Sequence, residues 1–204
     1  MNIFEYSEVE MDYLKSVDEK LGKAIDVIGK IERETGVEIF SDLIRSVVGQ
    51  QISVKAQATV WGRLVDLVGD MTASNIASKS EEEIKSCGLS YKKAGYILGI
   101  ANAVLSGELV IEELYNLPDK EVIKKLSSLN GVGVWTAEMI LIFSMKRPDV
   151  LSYGDLAIIR GMKILYGLEE LKKPQFETYR KIYSPYGTVA SLYLWEISTG
   201  SITL

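Results

Sequence analysis

Apolar residues recur at helical spacing along almost the whole chain. Met11, Leu14, Val17 and Leu21 open the pattern, and Ile25, Ile28 and Ile31 carry it on as one run toward Gly36. A second helix is expected over Phe40 to Val48, stopping at Gly49. Ser53 can cap a third, Val54 to Val68, which Gly69 ends. Short helices fit Ala73–Ala77 and Glu81–Ser86, and a longer one runs from Tyr91 to Leu105, near Gly107. Ile111–Tyr115 is short, and Pro118-Asp119 opens another helix to Ser127. Val134–Met145, Leu156–Tyr166, Gln175–Tyr183 and Val189–Thr199 complete the set. No window alternates apolar and polar residues with hairpin turns between. The expected class is therefore all-α, built from many short helices.

No low-complexity linker divides the chain, so residues 1–204 read as one domain. Within it, two helical lobes with a cleft between them would suit a middle segment that carries the most unusual turn. That turn lies in Leu126-Ser-Ser-Leu-Asn-Gly-Val-Gly-Val-Trp-Thr-Ala137, between two helix-patterned stretches. Gly131 and Gly133 bracket Val132 and permit a tight backbone turn. The next helix starts at once, so its first N–H groups point out of the turn and suit a phosphate. About twenty residues on comes Ser152-Tyr-Gly-Asp-Leu-Ala-Ile-Ile-Arg-Gly161, with Asp155 on a turn before another apolar helix. A phosphate-gripping hairpin followed by a lone carboxylate points to chemistry on DNA.

Composition narrows that chemistry. A chain 47% hydrophobic and 25% charged can build an ordinary globular core. A net charge of −5 excludes a generally cationic nucleic-acid coat, but backbone amides grip phosphate without entering a charge count. There is no histidine, which removes Ser-His-Asp and Cys-His nucleophiles and the usual histidine metal sites. One cysteine, Cys87, supports neither a disulfide framework nor an iron–sulfur cluster. Acid–base work falls to carboxylates, Lys, Tyr or water. The acidic N-terminus carries no signal-peptide pattern, and the run Met139–Phe143 is too short to span a bilayer. A cytoplasmic, DNA-associated protein is expected.

Each candidate has a plainer alternative. The glycine hairpin could be an ordinary helix–helix joint, although Leu126, Leu129, Thr136 and Ala137 around it favour phosphate binding. Asp155 could simply cap the helix over 156–166, and Asp149 could be a turn residue. Gly49-Gln-Gln-Ile-Ser53 reads as a capped loop, or as a loop whose Gln50 and Gln51 enter a duplex and fill the hole left by an extruded base. The aromatics Trp135, Tyr153, Tyr193 and Trp195 are core candidates, except that Trp135 lies in the first turn after the hairpin, facing the bound strand. Lys92, Lys93, Lys146 and Arg147 read as solvated faces, with phosphate contact as the alternative.

Leu129-Asn-Gly-Val-Gly-Val-Trp-Thr-Ala137 followed by Gly154-Asp155 resembles the helix–hairpin–helix plus Gly/Pro-Asp signature of a DNA glycosylase superfamily. Phe40 to Ala56 is similar to that superfamily's strand-inserting segment. Leu89 to Tyr96 and Pro185 to Trp195 resemble its alkylation-repair branch, the 3-methyladenine DNA glycosylase II type in compact form.

The resemblance implies a single glycosylase domain with its helix–hairpin–helix near 119–145. Its lobes would be formed by the middle segment and by the N- plus C-terminal segments. It implies an enzyme that flips and hydrolytically removes alkylated purines such as 3-methyladenine from duplex DNA, acting as a monomer. Asp155 would be catalytic. Trp135, Trp195, Met139 and Tyr153 would line the pocket. Gln50, Gln51, Ile52, Ser53, Asn130, Gly131, Val132, Gly133 and Thr136 would contact DNA, with Gln51 or Ile52 as the wedge. No cofactor is required; family members hold a sodium or potassium ion on hairpin carbonyls, which here would be those of Ser127, Leu129 and Val132. Bifunctional relatives carry an imine-forming lysine where this chain has Trp135, so monofunctional hydrolysis is implied. Three other readings stay open: a glycosylase for neutral bases (uracil, hypoxanthine or oxidised guanine), a non-catalytic helix–hairpin–helix module, and an all-α interaction scaffold.

Overall fold

The computed structural model describes residues 2–36 and 38–201, and among these it is helical throughout, with thirteen helices and no strand. An isolated antiparallel bridge joins Ile3 and Glu34. The chain divides into two compact units, Met1–Thr35 with Lys146–Leu204, and Gly36–Met145.

The first unit holds α1 (Glu8–Val17), α2 (Glu19–Ile28), α11 (Leu156–Tyr166), α12 (Lys173–Tyr183) and α13 (Gly187–Ser198). The run expected to continue unbroken from Met11 to Ile31 is two helices. Asp18 is extended (φ −148°, ψ 106°), and its Oδ1 accepts from the Leu21 amide at 2.9 Å, capping α2. The apolar stripe crosses the break because Leu14, Leu21 and Ile25 enter the same core, with Met162, Phe176, Tyr183 and Tyr193. Tyr166 and Tyr183 turn their hydroxyls onto Asp18 Oδ2. Helix α11 packs on α13 across Gly161, where an added Cβ would lie 2.1 Å from the Leu194 carbonyl oxygen.

The second unit holds α3 (Ile39–Gly49), α4 (Val54–Val68), α5 (Ala73–Ala77), α6 (Glu81–Ser86), α7 (Tyr91–Leu105), α8 (Ile111–Leu114), α9 (Asp119–Ser127) and α10 (Val134–Phe143). Half of these start on a hydroxyl cap: Ser53 for α4, Thr72 for α5, Ser80 with Glu83 in a capping box for α6, and Ser90 for α7. Leu43, Ile44, Ile76, Ile84, Ile97, Leu126 and Leu141 fill the core. Helix α10 stops two residues short of the expected Met145, because the Ser144 and Met145 amides both turn back to the Ile140 carbonyl. The ends of this unit are tied: the Gly36 amide donates to the Phe143 carbonyl at 3.0 Å, and Ser144 Oγ donates to Asp42 Oδ2 at 2.8 Å.

Candidate active site

The hairpin between α9 and α10 is closed by two turn hydrogen bonds, Leu129 N to Leu126 O and Val132 N to Leu129 O, each 3.1 Å. Its two glycines do different work. Gly131 has φ +88°, and a Cβ there would lie 2.3 Å from the Tyr96 ring. Gly133 is the N-cap of α10 (φ −88°, ψ 170°), and a Cβ there would meet open space. A glycine N-cap has no side chain to close the first turn, so the turn presents its amides outward. Asn130, Gly133, Val134 and Trp135 are exposed, Trp135 by 46%. Val132 and Thr136 are buried, so only their backbone can meet a phosphate; the Thr136 side chain belongs to the core.

The loop from Gly49 to Ser53 joins α3 to α4. Gln51 is left-handed (φ +59°) and exposed, as are Ile52 and Ser53, while Ser53 Oγ accepts from the Ala56 amide. Gln50 points the other way. Its Nε2 donates to the Gly131 carbonyl at 2.8 Å, so loop and hairpin are joined directly. Lys93 Nζ donates to the carbonyls of Val48 at 2.9 Å and Gln50 at 2.6 Å. The solvated reading of Lys93 is therefore corrected: the amine is turned inward, and burial pushes it below the usual lysine value. Lys93 stands one turn before buried Ile97 on α7, but nothing near it in sequence names the carbonyls it reaches. Lys92 is exposed, with its ammonium 5.8 Å from the centre of the Tyr96 ring that supports Gly131.

In the first unit Asp155 is the N-cap of α11. Its Oδ1 accepts from the Ala157 amide at 2.9 Å and the Ile158 amide at 3.0 Å, and the residue is only 6% exposed. The loop before it is zipped to the start of α13. Asp149 accepts from Ser184 Oγ at 2.6 Å and from the Gly187 amide at 3.1 Å, Thr188 Oγ1 donates to the Arg147 carbonyl, and Ser191 Oγ donates to that of Val150. Asp149 is thus the residue that fixes the approach to Asp155, more than a turn former. Tyr153 is edge-on to buried Phe176 at 5.1 Å. Trp195 is half-buried, with the Arg33 guanidinium 5.8 Å from its ring centre; Arg33 is held by Glu196 at 3.3 Å. Met139 is half-buried on α10.

Two further features bear on ligands. Along the outer face of α11 runs an open groove of about 580 Å³, lined by Leu156, Ile159, Lys163, Ile164 and Leu168; Asp155 and the tryptophans take no part in it. Among the described residues no group of His, Cys, Asp or Glu could hold a metal ion. The hairpin carbonyls are another matter. Ser127 ends α9, where carbonyls lack intrahelical partners, and the Leu129 carbonyl keeps a second lone pair beside its bond to Val132. A set of neutral oxygens fits a singly charged cation.

Residues 44–185 match the family model of the HhH-GPD superfamily base excision DNA repair proteins. The chain belongs to that superfamily. The HhH-GPD span contains the loop at 49–53, the hairpin and Asp155, and ends before Trp195. Among curated HhH-GPD relatives, the chain is 30% identical to the DNA-3-methyladenine glycosylase 1 of Schizosaccharomyces pombe, over 91% of this chain and 85% of that protein. It is 25% identical to a putative DNA-3-methyladenine glycosylase of Bacillus subtilis, covering 58% of that protein. Of solved structures, a DNA-3-methyladenine glycosidase from Bacillus halodurans superimposes with a TM-score of 0.87 at 36% identity, covering 97% of this chain and 93% of that one. The S. pombe 3-methyladenine DNA glycosylase Mag1, in complex with abasic DNA, gives 0.83 at 29%, covering 96% and 100%. Among the described residues no helix is long and apolar enough to cross a membrane.

Proposed function

We propose that this chain is a monofunctional DNA glycosylase of base excision repair, hydrolysing the N-glycosidic bond of alkylated purines such as 3-methyladenine in duplex DNA. The observation that carries the proposal is the state of Asp155. Its carboxylate is buried, fixed by two α11 amides, and reached through a loop pinned by Asp149. The relatives and structures named above all carry 3-methyladenine in their names, which supports this substrate class.

A glycosidic bond inside a duplex is out of reach, so the nucleotide must leave the stack. The amides that open α10 hold phosphate, and Gln51 at the exposed apex of its loop fills the gap. The carbonyls of Ser127, Leu129 and Val132 would hold a monovalent cation, whose charge would add to the pull on phosphate. As the base departs, positive charge develops on the deoxyribose, and the Asp155 carboxylate stabilises it. Asp155 then takes a proton from the attacking water, whose oxygen bonds to the sugar carbon. Trp135 offers an aromatic face to the base, an attraction of roughly 0.5–2 kcal/mol for a cationic ring. It supplies no amine, so no imine forms with the opened sugar. The absence of histidine matches a leaving base that already carries positive charge and needs no general acid. We assign Tyr153, Met139 and Trp195 to the surroundings of the base, and take the protein to act as an intracellular monomer.

A panel of duplexes, each with one lesion, tests the reading. Free 3-methyladenine should appear without strand nicking, while uracil, hypoxanthine and oxidised guanine stay attached. Release of a neutral base alone would replace the substrate class, and release of none would leave a DNA-binding module.

A further inference from the structure

The proposed reaction uses the apex of the 49–53 loop but not the side chains that hold it. Three hydrogen bonds converge there from outside the loop's own backbone. Lys93 Nζ takes the Val48 and Gln50 carbonyls, and Gln50 Nε2 takes the Gly131 carbonyl. Val48 lies in the last turn of α3, where carbonyls are unsatisfied and an ammonium is favoured. Between Gln50 and the capping Ser53 stands Gln51, in a left-handed conformation that a glutamine rarely adopts. Such a conformation persists where its surroundings over-determine it. Gln51, Ile52 and Val54 are exposed, Val54 by 83%. The loop is therefore fixed from beneath and bare on top.

Resting on the glycosylase reading, we propose that Lys93 and Gln50 are positioning residues. They lock the inserting loop to the phosphate-gripping hairpin, so that grip and insertion act as one preset unit. The charge of Lys93 is thereby committed to the loop rather than to DNA. A duplex that closes on an inserted side chain pushes back on it. A loop whose Gln50 is already tied to Lys93 and to the hairpin at Gly131 meets that push without first having to be ordered. Gln51 is held in the conformation that aims it outward. The benefit falls on DNA that has a gap to fill; an intact duplex, gripped only through phosphate, gains little.

Two variants separate this from a merely structural role. Lys93→Met removes both donors at similar length. Gln50→Glu keeps the shape but cannot donate to the Gly131 carbonyl. The readout is the ratio of affinities for a duplex with an abasic-site analogue and for the same duplex undamaged, with thermal melting alongside. The ratio cancels any change in overall charge. Each variant should lower it about fivefold to tenfold, and single-turnover base release about tenfold or more. The double variant should be no worse than either single one, because both break one lock. An unchanged ratio in both variants, or fully additive losses, would overturn the proposal. Should Lys93→Met melt early, Gln50→Glu decides alone. A wild-type protein that releases no base removes the glycosylase reading, while the affinity ratio still decides the lock.

Discussion

Gly161 lies against Leu194 so closely that a Cβ on the first would stand 2.1 Å from the carbonyl oxygen of the second. That contact sets how near α11 can approach α13, and Asp155 begins α11. The position of the proposed catalytic carboxylate is thus linked to helix packing through a residue that itself bears no chemistry.

Gly161→Ala tests the link. Alanine is the better helix former by up to about 1 kcal/mol, so an open site would be stabilised. Here backbone is in the way and cannot swing aside. Overpacking should win, at about 1–3 kcal/mol net, or roughly 3–10 °C in Tm for a chain of this size. Base release should fall further than stability alone explains, because Asp155 moves with its helix. Calorimetry and single-turnover release on the same preparation measure both.

The two hairpin glycines should fail differently. Gly131→Ala forces a side chain into a positive φ and into the Tyr96 ring, so it should cost about 1–3 kcal/mol of stability as well as DNA affinity. Gly133→Ala meets open space at an ordinary φ. As a poorer N-cap than glycine, alanine should lower stability only slightly, by about 1 kcal/mol or less, while weakening DNA binding, since its methyl stands where phosphate is expected. Melting curves and fluorescence anisotropy with a labelled duplex distinguish the two.

How far these relationships were legible depends on their range in sequence. Ser53, Ser80 and Ser90 announce the helices they begin, and Gly69 the one it ends, because capping involves neighbours within four residues. The break at Asp18 was hidden because both helices bury the same stripe, so periodicity runs through the cap. Asp155 was legible both as cap and as lone acid, and it is a cap; the chemistry proposed for it would use the same fixed carboxylate. Lys93 was misread because its partners lie 43 and 45 residues away, and the Gln50 bond to Gly131 spans 81. Local pattern carries no record of such pairs.

Alkaline pH should loosen the first unit. Burial raises the phenols of Tyr166, Tyr183 and Tyr193 well above the usual tyrosine value of 10.0. A group whose folded pKa exceeds its unfolded one lends stability that is fully present below the unfolded value and lost as pH rises past it. Stability should therefore hold up to about pH 10 and fall above it. In an absorbance titration of tyrosinate, these three should resist ionisation while exposed tyrosines titrate, and then ionise together with unfolding. Smooth titration of all eleven tyrosines near pH 10 would contradict the burial of these hydroxyls.

Asp155 is proposed to perform chemistry beyond capping α11, and Asp155→Asn isolates that role. Asparagine caps as well as aspartate, so the helix, the melting temperature and abasic-DNA binding should be kept. What it lacks is the charge that stabilises the departing sugar and the base that accepts the proton of water. Single-turnover release of 3-methyladenine should fall by at least about a hundredfold. Release at the wild-type rate from a variant that folds and binds DNA normally would reduce Asp155 to a helix cap and contradict the mechanism.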